Sequence, residues 1–138
     1  MTNSEAIYIE KLRNSGLRPT KQRIKICEVL FNREKTFHFS INELVKIIHA
    51  KVNQKISIAT TYNTVHAFKK KGHLKEISIG NDMSYFDTNT QSHHHFYDSQ
   101  TKELVDINSN EIEIKKIPTP PNGKKIVDAE VTFKISKE

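Results

Sequence analysis

The sequence predicts an α+β protein, with an N-terminal winged helix-turn-helix and a small α/β domain after it. Four segments with apolar residues at helical spacing fill the first half of the chain. A hairpin signal follows them, and short segments of alternating polarity fill the remainder. Helices followed by a two-stranded hairpin are the order of elements in a winged helix.

The first two helices are predicted from their ends and their apolar positions. Residues 6–14 carry Ile7 and Leu12 at helical spacing, and Gly16 follows as a stop. Thr20 is the expected N-cap of the second helix. The apolar stripe of this helix consists of Ile24, Cys27, Leu30 and Phe31.

The third and fourth helices are predicted in the same way. Ser40 and Glu43 form a capping box at the start of the third helix. Its expected buried face consists of Ile41, Leu44, Val45 and Ile48. The fourth helix is expected over residues 58–71, with Gly72 as its stop. Its inward residues are expected to be Ile58, Val65 and Phe68.

A hairpin should follow the fourth helix and close the first domain. Gly80-Asn81-Asp82 separates two strand-like segments, residues 74–79 and 83–87. The polar segment 88–92 then reads as a hinge. The sequence therefore predicts a domain over residues 1–88, the hinge over 88–92, and a second domain over 93–138.

The second domain is predicted to hold few strands. Residues 94–97 and 103–107 flank a turn, whereas 108–117 fits either a strand or a short helix. Residues 125–136 alternate most clearly, and one face carries Ala129, Val131, Phe133 and Ile135. Because a few strands with one apolar face are not stable alone, we expect this domain to form a homodimer.

Charge and composition limit the function classes. The chain has a net charge of +6, and its excess of basic residues lies in residues 1–88, with 15 Lys/Arg against 8 Asp/Glu. This distribution favours an anionic partner. No apolar run reaches membrane-spanning length and no signal-peptide core begins the chain, so we expect a cytoplasmic protein with no membrane partner. Cys27 is the single cysteine, which is expected to be a buried apolar residue.

A set of polar and basic side chains suits contact with double-stranded DNA. Hydroxyls and one amide on the fourth helix can bond to phosphates or base edges, and basic residues near the second helix can bind phosphates. The set consists of Arg18, Lys21, Arg23, Thr60, Thr61, Tyr62 and Asn63.

Three adjacent histidines, His93, His94 and His95, indicate a metal or haem site. Side chains alternate along a strand, so His93 and His95 should share one face and His94 should lie on the other. A His-x-His pair can chelate one small ion. A polar strand end that happens to be rich in histidine is the alternative interpretation.

These motifs together resemble the ferric uptake regulator (Fur) superfamily, and within it the iron response regulator branch. The resemblance rests on residues 16–23, on Ala59-Thr60-Thr61-Tyr62-Asn63, and on Tyr85-Phe86-Asp87 ahead of the three histidines. It implies a winged helix, an α/β dimerisation domain, and a regulatory site for Fe, Mn or Zn. The metal ligands that it implies here are His38, Asp87, His93, His95 and Asp106.

The chain also departs from this pattern. The paired cysteines that hold a structural zinc in most relatives are missing, and residues such as Asp98 and Thr101 stand where those pairs would fall. Many relatives carry an acidic residue between the two histidines, where this chain has His94. Asn63 stands where many relatives have arginine. In the iron response regulator branch such a histidine triplet is linked to haem, which makes His93, His94 and His95 candidate haem ligands.

The sequence thus predicts a dimeric regulator of iron or haem genes, not an enzyme, with haem or a divalent metal controlling its binding to an AT-rich, roughly palindromic operator. A Fur-family metal or peroxide sensor without haem response is the nearest alternative. From other classes, the alternatives are a zinc-dependent hydrolase and a haem or iron buffer without DNA binding. No third group stands out as a general base near the histidines, and a hydrolase would not need a basic winged helix.

Overall fold

The computed structural model describes residues 3–51, 55–80 and 83–138. The chain divides into two compact units, unit 1 with residues 1–90 and unit 2 with residues 91–138. The boundary lies within the polar segment 88–92. Across the described ranges, no helix has both the length and the apolar character needed to cross a bilayer.

Unit 1 contains the helices and the first sheet. Its elements are α1 (Asn3–Asn14), α2 (Lys21–Phe31), β1 (His38–Phe39), α3 (Ile41–Lys51), α4 (Ile58–Lys71), β2 (Lys75–Gly80) and β3 (Met83–Asp87). Unit 2 contains β4 (His94–Asp98), β5 (Leu104–Ile107), a 3-10 turn (Ser109–Glu111) and β6 (Thr132–Ile135). The predicted order of a helical N-terminal region, a hairpin and a small second region is confirmed, as is the α+β class.

The helices of unit 1 begin and end where the local sequence supplies caps. The Thr20 hydroxyl accepts a hydrogen bond from the Arg23 N–H at 3.2 Å, and the Ser40 hydroxyl accepts one from Glu43 at 3.1 Å. The fourth helix ends at Gly72, whose φ of +91° is the left-handed conformation that glycine adopts without strain. Three of the predicted boundaries therefore have the expected chemical cause.

The core of unit 1 is formed by the apolar faces of all four helices and of the first sheet. Leu12, Cys27, Leu44, Phe68 and Phe86 are each 1% exposed or less. Edge-to-face contact between Phe31 and Phe68, with centroids 5.7 Å apart, joins α2 to α4. This packing holds α4 against the rest of unit 1.

The first sheet has the order β1-β3-β2 and is antiparallel throughout. The short β1 places His38 opposite Asp87 and Phe39 opposite Phe86. Two reciprocal bonds continue this pairing, from the Phe37 N–H to the Thr88 hydroxyl at 2.8 Å and from the Thr88 N–H to the Phe37 carbonyl at 2.9 Å. The register of His38 and Asp87 is thereby fixed from both sides.

The second sheet has the order β5-β4-β6, with β4 antiparallel to β5 and parallel to β6. Registered partners put Phe96, Val105 and Phe133 in one row across the three strands. Val105 and Phe133 are 50% and 47% exposed, so this face of the sheet carries apolar side chains in contact with solvent. Tyr97 and Leu104, which are paired on the opposite face, are 5% and 4% exposed.

The structure corrects two sequence predictions, for Ile58 and for residues 125–136, and decides between the open alternatives for residues 108–117. Ile58 is 62% exposed and does not face the core, because it begins α4 on the same side as Tyr62. The strand predicted over 125–136 is limited to β6, since only Thr132–Ile135 pairs with β4. The ambiguous segment 108–117 forms a single 3-10 turn and no strand. The predicted hairpin turn at Asn81 and Asp82 lies outside the described residues.

Candidate metal centre

Two of the three consecutive histidines are buried, His95 within β4 and His93 directly before it. His95 is 1% exposed and His93 is 8% exposed, and their ring centroids are 4.3 Å apart. Strand alternation brings the two rings to the same face. Both histidines are thus placed as the sequence predicted, as a His-x-His pair.

Asp106 reaches this histidine pair from the neighbouring strand β5, where it is the registered partner of His95. Its Oδ1 lies 3.1 Å from His95 Nε2 and 3.5 Å from His93 Nε2. One ligand atom from each of the three residues lies within 4.8 Å of the other two. Two imidazole nitrogens and one carboxylate oxygen therefore converge, which is a donor set that suits Fe, Mn or Zn.

The hydrogen bond of His93 Nδ1 leaves its Nε2 suited to bind a metal. Its Nδ1 lies 2.7 Å from the Gln91 carbonyl oxygen. Because a carbonyl oxygen can only accept, Nδ1 carries the proton, and in the neutral ring Nε2 then keeps its lone pair. Histidines that bind metals are commonly oriented by such a bond from the other ring nitrogen.

His94 has the opposite arrangement. Its Nδ1 accepts a hydrogen bond from the Val131 N–H at 2.8 Å, ahead of β6. In the neutral ring the proton must then be on Nε2, so that nitrogen has no lone pair for a metal. This arrangement gives no support to the expected haem role of the triplet, since His94 links two strands and lies on the other face.

Unit 1 carries the two remaining predicted ligands, His38 on β1 and Asp87 at the end of β3. They are directly opposed in the antiparallel pair, so their side chains leave the sheet on the same face. Asp87 is 0% exposed, and its Oδ1 accepts a hydrogen bond from the Asn89 N–H at 2.9 Å. A buried carboxylate beside an imidazole is a second pair of nitrogen and oxygen donors.

The predicted DNA-contacting residues of α4 divide between surface and core. Tyr62 is 49% exposed and Asn63 is exposed, whereas the Thr60 hydroxyl accepts a bond from the Ser57 hydroxyl at 2.9 Å. Thr61 does not lie on the surface as expected for a DNA contact. Its side chain is 1% exposed, and its hydroxyl donates to the Ser57 carbonyl at 3.2 Å. The first turn of α4 instead exposes Ile58, one helical turn before Tyr62.

The basic residues near α2 remain at the surface. Arg18 and Lys21 are exposed, and Arg23 is partly buried. One terminal nitrogen of Arg23 donates to the Arg18 carbonyl oxygen at 3.0 Å, which ties the segment before the helix to its first turn. These side chains lie in the same unit as α4.

Neither Cys27 nor the turn at Asp98 supplies a thiolate ligand for a metal. Cys27 is 0% exposed, and burial raises the pKa of its thiol to about 12, so it stays protonated and cannot serve as a thiolate ligand. The Asp98 carboxylate accepts bonds from the Gln100 and Thr101 N–H groups at 2.9 and 3.2 Å. The turn after β4 is therefore closed by hydrogen bonds.

Comparison with known proteins gives consistent matches. The model of the ferric uptake regulator family matches residues 14–134. The peroxide-responsive repressor PerR of Staphylococcus epidermidis is 35% identical over 98 residues, which are 71% of this chain and 63% of the relative. The chain thus spans less than two thirds of the length of the curated relatives that it matches. Such matches do not support the expected iron response regulator branch.

Solved structures share the fold. A ferric uptake regulator from Pseudomonas aeruginosa with manganese has a TM-score of 0.69 at 22% identity, over 96% of this chain and 98% of that one. A zinc-bound manganese uptake regulator has a TM-score of 0.66 at 27% identity, over 94% of this chain and 97% of that one. The first of these proteins was solved with manganese, and the second is zinc-bound.

Proposed function

Since the chain belongs to the ferric uptake regulator family, a family of transcriptional regulators, we propose that it is a dimeric DNA-binding regulator controlled by a divalent metal or by peroxide, without haem. The observation that carries the proposal is the convergence of His93, His95 and Asp106 in unit 2. Family membership agrees with the prediction that the chain is not an enzyme.

The ligands that the family resemblance implies for the proposed regulatory ion would be His93, His95 and Asp106, together with His38 and Asp87. Three imidazoles and two carboxylates suit Fe, Mn or Zn. Donors from two units would make metal binding favour one arrangement of those units. DNA binding that favours the same arrangement must then change with metal by the reciprocal factor.

The proposed DNA surface is the exposed face of α4 together with the basic residues near α2. Tyr62 and Asn63 are exposed polar groups that can reach base edges, and Asn63 can pair with adenine. Ile58 is an addition to the sequence prediction, because an exposed apolar side chain can contact the methyl group of thymine. Such contacts favour the AT-rich operator that we propose, and its roughly palindromic form would follow from the proposed dimer.

The proposed dimer interface is the apolar row Phe96, Val105 and Phe133 of unit 2. An exposed apolar row on a small sheet favours burial against another protein surface. A second copy of the chain supplies a matching row by symmetry. Dimerisation would place two copies of α4 on two half-sites of one operator.

The main test measures metal and DNA binding in the same protein. Metal-free wild-type protein is titrated with Mn(II), and binding to a duplex selected from a random library is followed by fluorescence anisotropy. His95→Ala should lose roughly a hundredfold in Mn(II) affinity and lose the metal dependence of DNA binding. The matched control is His94→Asn, which keeps an acceptor for Val131 and should bind Mn(II) nearly as wild type does.

Equal losses in the two variants would overturn the assigned ligand face. Sequence-independent binding with little dependence on salt would overturn the regulator, since phosphate contacts make DNA binding salt-sensitive. If haem abolished operator binding by the metal-free protein, the function of an iron response regulator would replace the proposed function without haem. Hydrogen peroxide should release DNA from the Fe(II) form and not from the Zn(II) form, because zinc has no redox chemistry.

A further inference from the structure

A continuous row of rings runs through unit 1, from β1 to the exposed face of α4. Its members, in order, are Phe37, Phe39, Phe86, His66 and Tyr62. The successive ring centroids are separated by 5.2, 5.9, 5.6 and 4.1 Å. Three of these separations lie within the range of about 4.5–7 Å for contacting aromatic pairs, and the Tyr62–His66 pair is closer still.

His66 is the ring that joins the sheet to the helix. Its imidazole meets Phe86 edge-on, with an interplanar angle of 79°, and lies under Tyr62 at 39°. Phe86 is 1% exposed, whereas Tyr62 is 49% exposed. The row therefore leads from a fixed core residue, through a half-buried histidine, to a side chain on the surface.

A second contact of α4 reaches the same place on the hairpin. Lys69, three residues after His66, forms an ion pair with Glu76 at 2.5 Å. Glu76 is the registered partner of Phe86 in the pairing of β2 with β3. Two contacts of one helix face thus hold α4 to one cross-strand pair.

This cross-strand pair is next to the strand position of the proposed metal ligands. Phe86 directly precedes Asp87, and the Phe39–Phe86 pair adjoins the His38–Asp87 pair in the register of β1 with β3. A shift of β3 at Asp87 must move Phe86 as well, because the backbone joins them. The edge contact would pass this movement to His66 and so to Tyr62.

We infer that His66 is a positioning residue, which holds Tyr62 in its DNA-facing orientation and couples that orientation to the strand that ends at Asp87. The inference rests on the proposed function, since it names a residue that sets the specificity of the same DNA surface. His66 itself need not touch DNA.

The test compares three variants of the full-length protein with wild type. His66→Ala removes the ring, His66→Phe keeps it, and His49→Ala is a matched control on the exposed face of α3. Affinity is measured for the duplex that wild-type protein selects and for an unrelated duplex of equal length, with and without Mn(II).

His66→Ala should weaken binding to the selected duplex by roughly three- to tenfold, the scale of one aromatic contact, and leave the unrelated duplex unchanged. It should also reduce the ratio between the affinities with and without Mn(II). His66→Phe should restore both values to within about twofold. A general loss of structure would lower the affinity for both duplexes.

The inference fails if His66→Ala behaves like His49→Ala, or if His66→Phe is as weak as His66→Ala. Both results leave the proposed function intact, because wild-type protein still selects a duplex. If wild-type protein selects no sequence, the proposed function fails and the inference fails with it. Thermal unfolding of each variant identifies any change that results from lost folding.

Discussion

The two units of the molecule differ in how completely they bury their apolar side chains. Unit 1 closes its core within itself, and Leu12, Phe39 and Phe68 are each 0% exposed. Unit 2 buries one face of its sheet but leaves Val105 and Phe133 about half exposed on the other face. Unit 1 therefore holds α4 against its own core, whereas the uncovered apolar face of unit 2 suits the association that we propose.

The same contrast applies to the polar groups. In unit 1 the carboxylate of Asp87 is fully buried beside a strand pair, and in unit 2 that of Asp106 is 43% exposed and faces two buried histidines. Asp87 is thus a fully buried candidate donor, whereas Asp106 is a partly exposed one beside two buried rings.

The largest effect is expected in the core of unit 1. Phe68→Ala should lower the free energy of unfolding by about 3–5 kcal/mol, because the ring is fully buried and a cavity would remain. Chemical denaturation followed by circular dichroism measures this loss. Phe133→Ala in unit 2 is the control, and an equal loss there would contradict the contrast between the units.

The next effect concerns association through unit 2. Phe133→Asp should raise the dimer dissociation constant by roughly thirtyfold, since it places a charge in the apolar row of the proposed interface. Sedimentation equilibrium gives the constant. Val127→Asp serves as the control, because Val127 is 87% exposed in a segment outside the sheet. Unchanged association of Phe133→Asp would remove the row from the interface.

A smaller effect is expected at the end of α4. Gly72→Ala should destabilise unit 1 by about 1–2 kcal/mol, because alanine is strained at the φ of +91° that closes the helix. Among the described residues, none beyond the adjacent backbone comes within 4 Å of the added Cβ, so the cost is conformational. Gly123 also has a positive φ but lies in a segment without regular structure. Gly123→Ala should therefore lower the melting temperature by less than Gly72→Ala does.

The smallest effect is expected at the ion pair between α4 and the hairpin. The hydrogen bond from Lys69 lowers the pKa of the Glu76 carboxyl, and that from Ser84 adds to this. The stabilisation is therefore complete above the unfolded pKa of about 4.3 and is lost as pH falls through the lower folded pKa. Glu76→Gln should cost under about 1 kcal/mol at neutral pH.

Denaturation of wild type and Glu76→Gln between pH 7 and pH 3 measures this difference. The two stability curves should converge at the acid end. A gap that persists at low pH would show that the carboxylate charge does not cause the stabilisation.

Local sequence patterns were sufficient for much of the fold. Thr20, Ser40 and Gly72 act at helix ends through groups within four residues of them, so their roles follow from the sequence. The alternation of His93 and His95 against His94 follows equally from strand geometry. The resemblance to the family pointed to Asp106, and family membership is now established.

Other features depended on contacts between distant residues. Ile58 and Val65 are both apolar residues of α4, and only packing decides that the first is exposed and the second buried. Thr61 looked like a surface hydroxyl because its neighbours are polar, yet its side chain enters the core. The length of β6 depends on its pairing with β4, which alternation along 125–136 does not specify.

The sequence by itself determined the order of the elements, the caps, and the division of the histidine triplet between two faces, because these depend on neighbours along the chain. Only the tertiary structure decided that Asp106 meets His93 and His95, that His38 opposes Asp87, and that His66 joins Phe86 to Tyr62. Strand register and helix rotation set those contacts, and both result from packing over long sequence separations.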